Sequence, residues 1–195
     1  MTGMIALSLF LSYLLGSVPT GLWVGLLVKK VDIRECGSKN IGATNTLRVL
    51  GKGIGSVALI GDISKGVIAV LCVAKLADWD YAPLACGFAA ILGHTFSIFC
   101  KFKGGKGVAT SAGVFTGLVT IPMAIAFTVF IVTVAVSRMM GLASILGAVT
   151  LSIALWTIGE HDMSIKVIGT IVAILILIRH RENIKRMLAG EENKL

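Results

Sequence analysis

The chain is 195 residues long, 56% hydrophobic and 14% charged, with a mean hydropathy of +0.93. A soluble domain carries about 25% charged residues and under half apolar ones. This composition therefore excludes disorder, a collagen-like fibre, a coiled coil and an ordinary soluble enzyme, and leaves an integral membrane protein. The net charge of +8 reads first as loops retained in the cytoplasm, because Lys and Arg resist translocation, and second as attraction to anionic lipid or an anionic substrate.

Apolar runs lie at 4–28, 54–76, 83–100, 108–137, 142–158 and 163–178. The first is too long, and lacks the basic flank, for a cleaved signal peptide, so it reads as a span. The loop 29–53 holds Lys29, Lys30, Arg34, Lys39, Arg48 and Lys52. Lys101, Lys103 and Lys106 follow the third run, and Arg179, Arg181, Lys185 and Arg186 follow the last. All three basic segments belong in the cytoplasm, whereas the connections at Asp78 and Asp80 and at Glu160 and Asp162 suit the outside. Six spans cannot meet these constraints, because a single span over 108–137 leaves Arg138 outside and Glu160 inside. One helix of that length would also be ~45 Å long against a ~30 Å hydrocarbon core. Splitting the run near Ile121-Pro122, where Pro suits the first turn of a new helix, repairs the parity. The predicted fold is an all-α integral membrane protein. It is a compact bundle of seven transmembrane helices, two of them short and central, with the N-terminus outside, the C-terminus cytoplasmic and a single domain over residues 1–195.

Gly21 and Gly25, and Gly113 and Gly117, form two small-residue stripes suited to close helix packing. No internal repeat is evident, which weakens an inverted-repeat transporter. Cys36, Cys72, Cys86 and Cys100 make no CxxC pair and read as small buried apolar residues.

The informative polar residues form four clusters. In Gly37-Ser38-Lys39-Asn40-Ile41-Gly42-Ala43-Thr44-Asn45-Thr46-Leu47-Arg48, helical spacing puts Ile41, Asn45 and Arg48 on one face, and Thr44 with Arg48. Arg48 offers a fork of donors matched to phosphate, with Ser38, Asn40 and Thr44 as further donors; the alternative is a solvated basic loop whose Asn and Gly residues make turns. Lys101-Phe102-Lys103-Gly104-Gly105-Lys106-Gly107 precedes a helix. Its glycine N–H groups can converge on an anion with the charge of Lys106 beside them, or it is a flexible positive loop. It is not a Walker motif, so ATP is not implied. His94, just upstream, reads as a packed helix residue. Asp62 and Lys65 lie three apart inside the second run, where charges pair or line a cavity; an ion pair is the preferred reading. Last, His180 and Asn183 share a face of a helix leaving the membrane, beside a polybasic stretch that would equally serve as a lipid anchor. Arg138 and Ser144 are placed at the same surface. No GxSxG, no HExxH and no His/Asp pair of the coenzyme-A-dependent acyltransferases is present.

Taken in order, Gly16-Ser17-Val18-Pro19-Thr20-Gly21, the Gly37–Asn45 run with Arg48, Gly61-Asp62 with Lys65-Gly66, Gly93-His94 with Phe96, Phe102–Thr110, and His180 with Asn183-Ile184 and Gly190 resemble the bacterial acyl-phosphate-dependent glycerol-3-phosphate acyltransferases, the PlsY family. The resemblance runs from residue 16 to 192. It implies a multi-pass enzyme of the bacterial cytoplasmic (inner) membrane. That enzyme would move a fatty acyl group from acyl phosphate to the 1-hydroxyl of glycerol 3-phosphate at the cytoplasmic face, giving lysophosphatidate and phosphate in phospholipid biosynthesis. It implies no cofactor, no metal, no nucleic acid and no required protein partner. The mixed anhydride is already activated, so no covalent acyl-enzyme is needed and positioning with charge neutralisation can carry the rate.

On that reading Gly104, Gly105, Lys106 and Gly107 hold glycerol 3-phosphate. Arg48 and Ser38 hold the acyl-phosphate headgroup or its developing oxyanion, and His180 and Asn183 orient the glycerol. Asn40, Thr44, Asn45 and Ser144 complete the substrate contacts. A substrate phosphate takes the hydroxyl proton, with His180 as general base the competing mechanism. An organic-anion transporter built on the same basic clusters and on Asp62 and Lys65 is the alternative function.

Overall fold

A computed structural model describes residues 2–194, and every regular element among them is helical. The chain divides into two compact units, residues 1–118 and 119–195.

The first unit opens with α1 (Thr2–Ser17) and α2 (Thr20–Val24), the latter prolonged by a π turn over Gly25–Lys29. The predicted first span is thus bent, by 45°. The cause is Pro19, whose missing N–H and ring interrupt the helical ladder. A loop leads to the short α3 (Ala43–Leu50), which ends at Gly51 with φ +86°. The long α4 (Lys52–Leu71) follows, then α5 (Ala82–Thr95), with Pro in its first turn, and α6 (Val108–Leu118). α4 and α6 meet backbone to backbone. A Cβ on Gly113 would strike the Ile63 carbonyl, and one on Gly66 the Thr110 carbonyl. Gly117 continues that seam, its virtual Cβ 3.1 Å from Val70 Cγ1, so the predicted glycine stripe is a packing face. Phe115 and Ile91 are fully buried, while Phe10, Leu27 and Ile60 face outward.

The second unit contains α7 (Thr120–Ser137), α8 (Met140–Thr157), α9 (Met163–Arg179) and α10 (Arg181–Leu188). The 108–137 run is broken as the parity argument requires, but at Val119, which leaves Pro122 in the first turn of α7. There its absent N–H is one that no intrahelical acceptor would meet. The two central helices are not both short: α6 has 11 residues and α7 has 18. Asp162 caps α9, its carboxylate accepting from Ser164 N at 2.7 Å. Leu155 and Val172 are buried, and Phe127, Val136, Ile153 and Ile174 are exposed. Apolar faces of this extent need lipid rather than water.

Among the described residues four helical stretches are long and apolar enough to cross a membrane unaided, Lys52–Leu76, Ala82–Cys100, Thr120–Ser137 and Met140–Thr157. Two bent pairs, Thr2–Ser17 with Thr20–Lys29 and Met163–Arg179 with Arg181–Leu188, bring the number to six. The apolar α6 is shorter than these. The cysteines are all free. Cys86 and Cys100 are buried as expected, Cys36 is half-buried, and Cys72 faces outward.

Candidate active site

The loop before α3 is organised around one side chain. Asn45 is 1% exposed. Its Oδ1 accepts from Ser38 N at 2.8 Å, and its Nδ2 donates to the carbonyls of Ile33 (2.8 Å), Asn40 (2.9 Å) and Cys36 (3.2 Å). Asn45 was expected among the substrate contacts; with its amide fully engaged, it is the residue that shapes the loop. Ile33, Ile41, Leu22 and Cys100 form an apolar cluster that anchors the same segment. Asn40 accepts from Gly42 N at 2.8 Å, ahead of α3. The Ser38 hydroxyl is exposed and makes no hydrogen bond among the described residues. Thr44 and Arg48 lie one turn apart on α3, both half-buried.

The basic cluster offers less charge to a ligand than its sequence suggests. Arg34 forks onto Asp32, with Nη2 2.6 Å from Oδ2 and Nε 3.0 Å from Oδ1. The hydrogen-bonded Arg34 guanidinium holds the Asp32 carboxyl below the usual carboxylate range. A depressed carboxylate stabilises the fold above its unfolded pKa and loses that contribution as the pH falls through the lowered value. The stability difference between wild type and Arg34→Gln, read by thermal unfolding in detergent, should be steady above about pH 5 and fade below about pH 4. It should also shrink with added salt, because Arg34 is about half exposed.

The glycine loop is not an open nest of amides. Gly104 N donates to Thr95 O at 3.1 Å and Gly105 N to His94 O at 2.9 Å, so both expected anion donors are spent on the last carbonyls of α5. The glycines are needed for close approach. A Cβ on Gly104 would strike the His94 carbonyl, and one on Gly105 the His94 Nε2. Gly107 has φ +84°, and its virtual Cβ lies 3.2 Å from Thr95 Oγ1 and 4.0 Å from Ser111 Oγ. Those two hydroxyls are buried and have no hydrogen-bond partner among the described residues. They are donors at the loop that sequence reading missed, since single hydroxyls in apolar helices carry no pattern. Lys106, next to Gly107 in the chain, is half-buried.

The charges inside α4 pair as expected. Lys65 Nζ lies 2.7 Å from Asp62 Oδ1, and both are buried. His94, expected as a plain packed residue, joins them: its Nδ1 is 3.3 Å from Lys65 Nζ.

In the second unit His180 caps the junction of α9 and α10, which bends by 55°. It is 2% exposed, and its Nδ1 lies 2.8 Å from Ile176 O. A carbonyl only accepts, so Nδ1 carries a proton, and whenever the ring is neutral Nε2 is its accepting nitrogen. Asn183 is buried and donates to Glu192 Oε1 at 2.5 Å, while Arg186 Nε donates to Oε2 at 2.9 Å. Glu192 is thus a buried carboxylate that folds the tail back onto α10. Its virtual neighbour, a Cβ on Gly141, would come 2.7 Å from Asn183 Nδ2 and 2.8 Å from Glu192 Oε1. Ser144, expected as a substrate donor, gives its proton to Met140 O at 2.8 Å. Arg138, placed by sequence at the same surface, caps α7 and is exposed.

Residues 6–190 match the family described as Glycerol-3-phosphate acyltransferase. The chain belongs to that family. Glycerol-3-phosphate acyltransferase 2 of Bacillus anthracis is 43% identical over 97% of this chain and 98% of its own length. The glycerol-3-phosphate acyltransferase of Bacillus subtilis (strain 168) is 43% identical over 98% of both. The crystal structure of PlsY (YgiH), an integral membrane glycerol 3-phosphate acyltransferase, in its glycerol 3-phosphate form superposes with a TM-score of 0.91 at 35% identity, covering 98% of this chain and 95% of that one. The lysphosphatidic acid form gives 0.88. Membership makes the chain an integral membrane acyltransferase, as the motifs implied.

The glycerol-3-phosphate acyltransferase fold brings Ser38, Asn40, Asn45 and the start of α3 into one hydrogen-bonded loop. It likewise brings His94 against Gly104 and Gly105, and Asn183 against Glu192. Glu192, Thr95 and Ser111 are site-adjacent residues absent from the sequence reading. Glu192 had a signal, the Glu191-Glu192 pair that follows a basic helix and a glycine, but which acid turns inward and what it meets could be named only once the tail's return was seen.

Proposed function

We propose that the chain transfers a fatty acyl group from acyl phosphate to the 1-hydroxyl of glycerol 3-phosphate, releasing lysophosphatidate and inorganic phosphate for phospholipid biosynthesis. The acyl carbon–phosphate oxygen bond breaks, the ester bond to glycerol forms, and the hydroxyl proton leaves on the phosphate. The observation that carries this reading is the agreement of fold with a 35% identical relative known in a glycerol 3-phosphate form and a lysphosphatidic acid form, which are acceptor and product.

Roles follow the chemistry of each group. Arg48 and the exposed Ser38 hydroxyl meet the acyl-phosphate headgroup and the developing oxyanion, where a donor in place stabilises the transition state. Asn40 and Thr44 flank them. Lys106 meets the phosphate of glycerol 3-phosphate, with Gly104, Gly105 and Gly107 setting its position. His180 Nε2 and Asn183 orient the attacking hydroxyl, and Ser144 supports that end. The enzyme uses seven membrane helices, with α6 as the short one, the N-terminus outside and the C-terminus in the cytoplasm. It works as one domain at the cytoplasmic face of the bacterial inner membrane. Support for that orientation comes from the lysine- and arginine-bearing segments at 29–52, 101–106 and 179–186, and the unbroken family match over both units supports a single domain.

The test is phosphate release by purified protein in a lipid phase, given palmitoyl phosphate with and without glycerol 3-phosphate. Release that needs the acceptor, with lysophosphatidate formed, is the expected result; release without it would mean a hydrolase, and none would overturn the reading. His180→Ala should retain turnover within about tenfold and raise the Michaelis constant for glycerol 3-phosphate. A general base would instead cost 10²–10⁴ in turnover and remove a pH limb near neutrality.

A further inference from the structure

Three carbonyls at the α1–α2 break have lost their helical donors. Thr20 N, which would serve Gly16 in a continuous helix, bonds Val18 O at 3.0 Å, and Pro19 has no N–H. Side chains from elsewhere meet them. Ser97 Oγ donates to Ser17 O at 2.5 Å. Lys65 Nζ reaches Val18 O at 2.8 Å and Gly16 O at 3.3 Å. The same ammonium pairs with Asp62 at 2.7 Å and lies 3.3 Å from His94 Nδ1. Lys65 is 4% exposed, Asp62 2% and His94 5%.

An ammonium has no acceptor, so His94 Nδ1 accepts from Lys65, and the neutral ring carries its proton on Nε2. That tip is the atom a Cβ on Gly105 would strike, and the His94 carbonyl takes the Gly105 amide at 2.9 Å. His94 is therefore held by Lys65 on one side and bears on the glycine loop with both its ring and its backbone. An ion pair removed from water is costly to build and weak evidence for stability, yet this one is wired to the segment that carries Lys106.

We propose that Lys65 and His94, with Asp62 fixing the ammonium, are positioning residues for the glycine loop. They set where the loop holds Lys106, and hence affinity for the substrate that Lys106 binds. The inference deepens the proposed function, resting on it only for which substrate that is. A cation held in place is worth more than one left to wander, because small misplacements are costly in binding and turnover.

The experiment measures both Michaelis constants and turnover for His94→Leu, His94→Gln, Lys65→Arg and Lys106→Ala in lipid. His94→Leu removes a neutral ring and leaves the Asp62–Lys65 pair intact, so the protein should fold. It should raise the Michaelis constant for glycerol 3-phosphate about tenfold with turnover within about threefold. His94→Gln, which keeps a polar group at that position, should recover most of the loss, and Lys65→Arg, which keeps the charge, should stay close to wild type. Lys106→Ala should raise the same constant further. A folded His94→Leu with wild-type constants for both substrates overturns the proposal, as does an equal loss in Leu and Gln variants. If His94→Leu and Lys106→Ala both move the acyl-phosphate constant instead, the positioning holds and the assignment of the loop to glycerol 3-phosphate falls.

Discussion

Asn45→Asp should cost about 2–4 kcal/mol of stability and most of the acyl-transfer activity. The substitution is nearly isosteric, and the retained Oδ1 can still accept from Ser38 N. The other atom changes from an NH₂ that donates to Ile33, Asn40 and Cys36 carbonyls into an oxygen facing three oxygens. Donation becomes repulsion at a position 1% exposed. Part of the loss is recovered because Cys36 and Asn40 are only half-buried and can turn to water. What is not recovered is the path of the chain from Ile33 to Asn40, and so the placement of the Ser38 hydroxyl ahead of α3. Thermal unfolding in detergent and turnover with palmitoyl phosphate should both fall. A stable protein with intact turnover would mean the loop is shaped by the Ile33–Ile41–Leu22 cluster alone.

Glu192→Ala should be the second severe change. It removes a carboxylate that accepts from Asn183 at 2.5 Å and from Arg186 at 2.9 Å. Breaking a fully buried ion pair costs about 3–5 kcal/mol. Arg186 is about one third exposed, so water meets it after the loss and about 2–3 kcal/mol is the expectation. Asn183 is buried and loses its orientation, so turnover should fall by more than the stability change alone explains. Arg186→Gln, which leaves the Asn183–Glu192 bond in place, should be milder in both respects. The ratio of the two variants' activities separates a tail that only closes the fold from one that aims Asn183. Equal activities, with Glu192→Ala merely less stable, would assign Glu192 to the fold alone.

Much of the candidate site was legible because its polar residues lie close together along the chain. The run from Ser38 to Arg48, the glycine loop and the His180–Asn183 pair stand out against apolar surroundings, where each polar residue is expensive. The predicted Asp62–Lys65 pairing could be read for the same reason, since spacing of three puts the two on neighbouring rows of one helix. The break in 108–137 was legible from charge parity, although it falls at Val119 rather than beside Pro122. The bend at Pro19 was missed, because a predominantly apolar run of 25 residues at 4–28 is long enough to span even when broken.

The sequence alone determined the membrane class, the helical content and the family, and it supplied the short list of candidate residues. Each of these depends on composition or on residues near one another along the chain. Only the tertiary structure decided what those residues do with their hydrogen bonds. Asn45 serves its own loop, the Gly104 and Gly105 amides serve α5, Ser144 serves Met140, and Lys65 serves a helix break 47 and 49 residues away. Out of reach of water an unpaired polar group is costly, so most of them find a partner. Which partner it finds is set by how helices distant in sequence meet, and no local pattern encodes that.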